Sequence, residues 1–160
     1  MFPVEINRDV KVTLHRFTDH FKGFEKVQAV REIFGDKTEE ILRNLKVEFY
    51  SSRRGYMGVS DQDGHILMSA HYLKNGNERD IYLDIIHELV HVKQFLEGKE
   101  LFENRWEYVD RPTEVDAYRQ AVKEARRLGM TDKEIYQYLE TEWMTEEDLK
   151  RLAEAVGVKV

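Results

Sequence analysis

The chain has 160 residues, 41% apolar and 35% charged, which suits one domain with a real core and excludes a disordered chain. A net charge of −6 gives no general attraction to nucleic acid or anionic membranes. The absence of cysteine excludes disulfides and thiolate ligands, so any zinc must use His and carboxylates.

No apolar run approaches the roughly 18 residues of a membrane span, and residues 1–8 have no apolar signal core. The expectation is a cytoplasmic protein with no membrane span and no nucleic-acid partner. Many Glu, Lys and Arg with few amides is also a mix seen in thermostable proteins.

Residues 4–14 alternate loosely at Val10, Val12 and Leu14 and predict a strand. Residues 18–34 predict one helix, with Phe21, Phe24, Val27, Val30, Ile33 and Phe34 at helical spacing and Gly35 as its stop. Those aromatics read as core. A short helix over 38–45 follows. Residues 47–71 then read as a three-strand meander: 47–50, a turn at 52–55, 56–60, a turn at 61–64, and 65–71. Asp63-Gly64 is a hairpin signal. Asp61 and Asp63 lack the further acidic positions of a calcium loop. His65 and His71 read as exposed ends of the last strand, with approach to a site as the alternative. Asn75-Gly76 is another turn.

The next segment, 80–96, is the most apolar of the chain and predicts a buried helix. Asn77 can cap it, with Glu78 and Asp80 in the first turn, and Gly98 can stop it. At roughly 100° per residue, Asp84, His87, Glu88, His91 and Gln94 fall in one polar stripe about 120° wide. That stripe holds His87-Glu88-Leu89-Val90-His91, which reads H-E-x-x-H. Positions i and i+4 lie one above the other on a helix, so two imidazoles there can share one tetrahedral zinc. The Glu one step after the first His can reach a water on that zinc.

After Gly98 the stretch 99–111 is irregular and carries Trp106 and Tyr108. A helix from Pro112 to about Leu128 follows, with Thr113 and Asp116 approximating a capping box. Thr131 starts another helix, to about Trp143, and Thr145 with Asp148 caps the last.

Two histidines need a third protein ligand. No histidine follows His91, which excludes the motif with a third His downstream. The best carboxylate is Glu114, in a first helical turn followed on the same face by Ala117, Tyr118, Ala121 and Ala125. Small residues there allow close approach to the motif helix. Asp116, Glu107 and Asp110 are the alternatives, Asp116 being handicapped by its capping role.

On these residues the chain resembles the gluzincin zinc metallopeptidases, with H-E-x-x-H on one helix and a Glu on a later one. The wording from His87 to Gln94, followed by 112–118, most resembles the small archaeal minigluzincins. The resemblance covers roughly 47–128. It implies an α+β, zincin-like fold: a small twisted β-sheet, backing helices, an active-site helix, a glutamate helix and a C-terminal helical extension. The implied organisation is a catalytic domain over 1–130 with the extension, 131–160, packed on it. It implies Zn2+ on His87, His91 and Glu114, Glu88 as general base, and a peptide or protein substrate added to a sheet edge, the 65–71 strand. It also implies latent forms with a C-terminal segment over the cleft, and the β-branched tail 156–160 has the chemistry to pair with that edge. Many gluzincins place an Asp four residues after the ligand Glu; here that residue is Tyr118. This leaves the partners of the two zinc histidines unassigned, with Asp84 as one candidate. Tyr118, Tyr108 and Arg111 are candidate oxyanion donors by position.

Two other readings compete with a metallopeptidase. One is a non-catalytic zinc-binding regulatory or interaction domain, which would have no need of Glu88. The other is a helical protein with a chance motif, which would bind no stoichiometric zinc. Oligomeric state is not legible in the sequence.

Overall fold

A computed structural model describes residues 3–8 and 11–160. Val10, within the strand expected over 4–14, lies outside them. The described part of that stretch forms two separate short strands, β1 (Glu5–Ile6) and β2 (Leu14–Arg16).

The single helix expected over 18–34 is three pieces. A turn of helix, α1 (Phe17–His20), runs into β3 (Phe21–Lys22), which pairs antiparallel with β1. Gly23 then adopts φ 92°, a 3-10 turn spans Phe24–Lys26, and α2 (Gln28–Phe34) completes the segment. The break serves the aromatics. Phe17, Phe21 and Phe24 are all fully buried and pack on one another with centroids 5.0–6.4 Å apart. The predicted short helix is α3 (Thr38–Asn44).

The strands β4 (Lys46–Tyr50), β5 (Met57–Val59) and β6 (Ile66–Ser69) join β2 in a mixed sheet ordered β2-β4-β6-β5. It is not a meander. β5 and β6 form the expected hairpin, in which Gly64 takes φ 79° and a Cβ would strike the Phe95 ring. β6, however, pairs parallel with β4 and so becomes an interior strand, leaving β5 at the edge. β4 and β6 bury Val47, Phe49, Ile66 and Met68 against the core, while Glu48 and Leu67 between them lie on the less covered face. The strand expected to 71 ends at Ser69, which caps an unexpected helix, α4 (Ala70–Asn75), by accepting the Tyr72 N–H.

The motif helix α5 (Glu78–Leu96) is the spine of the molecule. Asn77 caps it, accepting the Asp80 N–H at 3.2 Å. Its apolar side chains Ile81, Leu83, Ile85, Ile86 and Leu89 are wholly buried. α6 (Pro112–Arg127) lies along it, with Ala117, Ala121 and Ala125 fully buried at close approach. The expected capping box at Thr113 and Asp116 is absent: Arg111 is the cap residue with no side-chain bond, and Asp116 is exposed beside Arg119. α7 (Asp132–Leu139) and α8 (Glu146–Ala155) each begin with a complete capping box, from Thr131 and Thr145. α7 stops four residues short of Trp143, because the chain turns at Thr141, whose carbonyl accepts the Met144 N–H. Ile135, Leu139, Leu149, Leu152 and Val158 join the same hydrophobic core as α5 and α6. No helix among the described residues is long and apolar enough to cross a membrane.

Candidate metal centre

The polar stripe of α5 faces the first turn of α6. His87 Nε2 lies 3.0 Å and His91 Nε2 3.1 Å from Glu114 Oε1, and the two ring nitrogens are 3.2 Å apart. All three residues are buried, and together they form a cluster that could hold a metal ion. Donors about 2.0–2.1 Å from a tetrahedral ion sit roughly 3.3 Å from one another. The three side chains are therefore close to ligand spacing without rearrangement.

The hydrogen bonds around His91 sharpen this. Its Nδ1 is 2.7 Å from Gln94 Oε1, while Gln94 Nε2 donates to the Thr113 carbonyl at 3.0 Å. The carbonyl can only accept, so the amide must turn its nitrogen to Thr113 and its oxygen to the ring. His91 Nδ1 then carries the proton, and Nε2 aims a lone pair at the Glu114 carboxylate. Two lone pairs at that separation repel unless a cation, a proton or a metal ion, sits between them. The local field agrees. Burial pushes His91 down, but its bond to Glu114 and the Glu88 and Glu114 charges outweigh this and raise it to about 9. Burial likewise pushes Glu114 up, and the bonds to His87 and His91 outweigh it and hold the carboxyl low.

Glu88 is buried, lies outside that cluster, makes no side-chain hydrogen bond among the described residues, and faces the cleft. Burial raises its affinity for a proton against the pull of His87 and His91. Two cavities, of about 440 and 160 Å³, meet at Met57, His87, Glu88 and Tyr108, making one continuous cleft past the cluster. The edge strand β5 flanks it. The Tyr56 carbonyl accepts the Ser69 N–H of β6, and the Ser60 N–H donates to the carbonyl of His65 just before β6, both at 2.9 Å. Antiparallel pairing alternates, so Gly58 also faces β6, and the main-chain groups of Met57 and Val59 point to the unpaired edge. The edge is thus β5, not the 65–71 strand.

Tyr118 packs its ring edge-on against His87, with centroids 4.3 Å apart, and its hydroxyl meets that of Tyr108 at 2.9 Å. Burial pushes both phenols up, so both stay protonated. One of their two protons is spent between them, and the other remains available to an acceptor in the cleft. Arg111, the third candidate oxyanion donor, instead stacks on Tyr108 and donates to the Glu103 carbonyl.

The remaining candidates lie elsewhere. Glu107 and Asp110 bind Arg151 at 2.6 and 3.0 Å. His65 bonds to Glu48 and Asp63, and His71 is exposed beside Asn75. Asp84 makes no hydrogen bond to a histidine. It accepts the hydroxyls of Tyr72 and Tyr138, tying α4 and α7 to α5. The tail 156–160 does not reach the sheet edge. Val158 is buried, its N–H bonds the Ala153 carbonyl at 2.8 Å, and the Lys159 N–H bonds Asp132 at 2.7 Å. The part of the extension that borders the cleft is 137–143, through Gln137, Tyr138 and the Thr141–Trp143 turn. Sequence reading placed Gln94 on the polar stripe but assigned it no role; its spacing of three from His91 was the available signal.

Comparison with known protein families, with curated proteins and with solved structures returned no match to this chain.

Proposed function

We propose that this chain is a zinc metallopeptidase of the gluzincin kind. The observation that carries the reading is the convergence of His87, His91 and Glu114 beside a buried, uncoordinated Glu88 that opens onto a cleft bordered by an unpaired strand edge. His87, His91 and Glu114 would hold the ion. A bound zinc supplies Lewis acidity, polarising a carbonyl and acidifying a water. The protein's own groups account for the remaining steps. The main-chain groups of Met57 and Val59 bind an extended peptide by strand addition and hold it along the cleft. Glu88 accepts a proton from the attacking water and returns it to the leaving amine, a role suited to a carboxyl whose burial raises its proton affinity. The Tyr108–Tyr118 pair supplies one hydroxyl donor to the developing oxyanion.

The test is metal analysis paired with peptide hydrolysis. The purified chain is expected to carry about one zinc, and Glu114→Ala to lose most of it. Glu88→Gln is expected to keep zinc and lose hydrolysis. A Glu88→Gln protein that still cleaves peptides, or a chain without stoichiometric metal, overturns the reading. Zinc bound with no turnover by the unaltered chain would favour the non-catalytic zinc domain instead.

A further inference from the structure

The larger arm of the cleft has an unusual lining. Asp80, Asp84 and Glu88 stand at successive turns of α5 and all face it, and Glu140 and Glu142 border it from the turn after α7. Among the described residues no Lys or Arg lines it. Like charges at i, i+4 on a helix repel, and while Asp84 ties α4 and α7 to α5 through two tyrosine hydroxyls, the Asp80 carboxylate accepts no such bond among the described residues. Elsewhere several carboxylates are matched: Glu32, Glu39, Glu134 and Asp132 each hold a guanidinium. Around this arm, among the described residues, the side chains of Asp80, Glu140 and Glu142 have no hydrogen bond or ion pair. Asp84 is satisfied by two tyrosine hydroxyls, whereas Glu88, 7% exposed and without a hydrogen bond, opens into the same space.

The walls are aromatic. Tyr56 packs edge-on against Tyr72 at 5.1 Å on one side, and Trp143 against Tyr108 at 4.7 Å on the other. Tyr56 and Trp143 are about half exposed, at 47% and 55%, so two ring faces stand at the cavity's border without being covered by core. Aromatic faces and carboxylates share one chemical preference, which is for a cation that can shed part of its hydration. Arg79, next to Asp80 in the chain, bonds Glu134 and acts on Asp80 only through its charge, and Arg111 lies on Tyr108 and donates to the Glu103 carbonyl.

We infer that this arm is a recognition pocket for a cationic group of the peptide substrate, an ammonium or guanidinium held between the Tyr56–Tyr72 and Tyr108–Trp143 walls and facing Asp80 and Glu142. The inference rests on the peptidase reading of the adjoining centre and adds substrate class to it. A Lys or Arg side chain and a free N-terminal ammonium share the required chemistry.

Binding to zinc-loaded, full-length Glu88→Gln protein separates this inference from the activity itself. The probes are fluorescently labelled peptides, identical except for Lys, Arg, norleucine or Glu scanned through each position, with the amino terminus acetylated. A norleucine peptide with a free amino terminus forms a separate arm. Lys and Arg are expected to bind on the order of ten-fold more tightly than norleucine at one position, and Glu more weakly than either. The preference is expected to shrink with added salt. Glu142→Gln, on the exposed turn, and Asp80→Asn are each expected to reduce the Lys-to-norleucine ratio severalfold. Glu142→Gln keeps the test decisive if Asp80→Asn, in a helix first turn, disturbs folding. A gain confined to the free-terminus arm assigns the pocket to an N-terminal ammonium. Equal binding of all peptides, no measurable binding, or a preference untouched in both variants overturns the inference. Loss of hydrolysis in the unaltered chain would instead count against the peptidase reading.

Discussion

Gln94 shows how much of a candidate metal centre can depend on a neutral residue. Buried to 2% exposure, it spans the gap between His91 on α5 and the Thr113 carbonyl, one residue before Glu114 on α6. A single amide thus sets the proton on one ligand and ties down the segment carrying another. Gln94→Leu keeps the volume and removes both bonds. It is expected to weaken zinc binding by about 10- to 100-fold in a chelator competition, with circular dichroism unchanged. Gln94→Glu keeps an acceptor for His91 but loses the donor to Thr113, and should fall between. Zinc affinity equal to the unaltered chain's in Gln94→Leu would show that His91 needs no such partner. Asp116 makes the contrasting case. It is exposed, and among the described residues it pairs only with Arg119, at 3.6 Å, so Asp116→Ala should cost less than about 0.5 kcal/mol and leave zinc in place.

Between elements, the clasp joining α2 to α6 is the clearest electrostatic contact. Glu32 accepts from Gln120, Lys123 and Arg127 at 2.9, 3.2 and 2.7 Å. These bonds, led by that to Arg127, hold its carboxyl at about 2. A carboxyl depressed in the folded state contributes stability above its unfolded pKa, roughly 4.3. That contribution is lost as pH falls toward the folded value. Glu32→Gln should therefore cost about 0.5–1 kcal/mol at pH 7 and progressively less as pH falls below about 4, the difference vanishing only below the folded value of about 2. Urea unfolding of both proteins across that range measures it, and a difference independent of pH would assign the effect to packing. The clasp could not be read from the sequence, because it joins residues about ninety positions apart whose helices meet only through the core. The break in 18–34 was hidden for a related reason. Helical spacing of six apolar residues says that they share an interior, while the way Phe17, Phe21 and Phe24 nest against each other and β1 decides whether one helix can serve all of them.

Over the whole molecule, the last thirty residues matter as core before they matter as cover. Leu152 and Ala153 are fully buried, and Arg151 binds Glu107 and Asp110 on the stretch that leads into α6. Leu152→Ala should cost about 2–4 kcal/mol. A chain ended before Thr145 should show a lowered melting temperature and exposed apolar surface rather than a folded, unmasked cleft. If that truncated chain melts like the full one, the core drawn here through α8 is wrong.

What the sequence settled by itself was local. The i, i+4 spacing of His87 and His91 fixes their common face on any helix, Asn77, Thr131 and Thr145 announce helix starts by their own side chains, and the lack of Cys and of later His leaves a carboxylate to complete the cluster. These depend on bonds within a turn or two, or on composition. Tertiary structure alone decided the rest. The small-residue face after Glu114 already ranked it first, but only the structure shows that α6 turns that carboxylate toward α5 while Arg119 and Arg151 claim Asp116, Glu107 and Asp110. Making β5 the edge required the parallel pairing of β4 with β6, a long-range choice that alternation along one strand does not encode. The acid-lined arm likewise exists only because α7 returns to lay Tyr138 on Asp84 and leaves Glu140, Glu142 and Trp143 around a cavity they are far from in sequence.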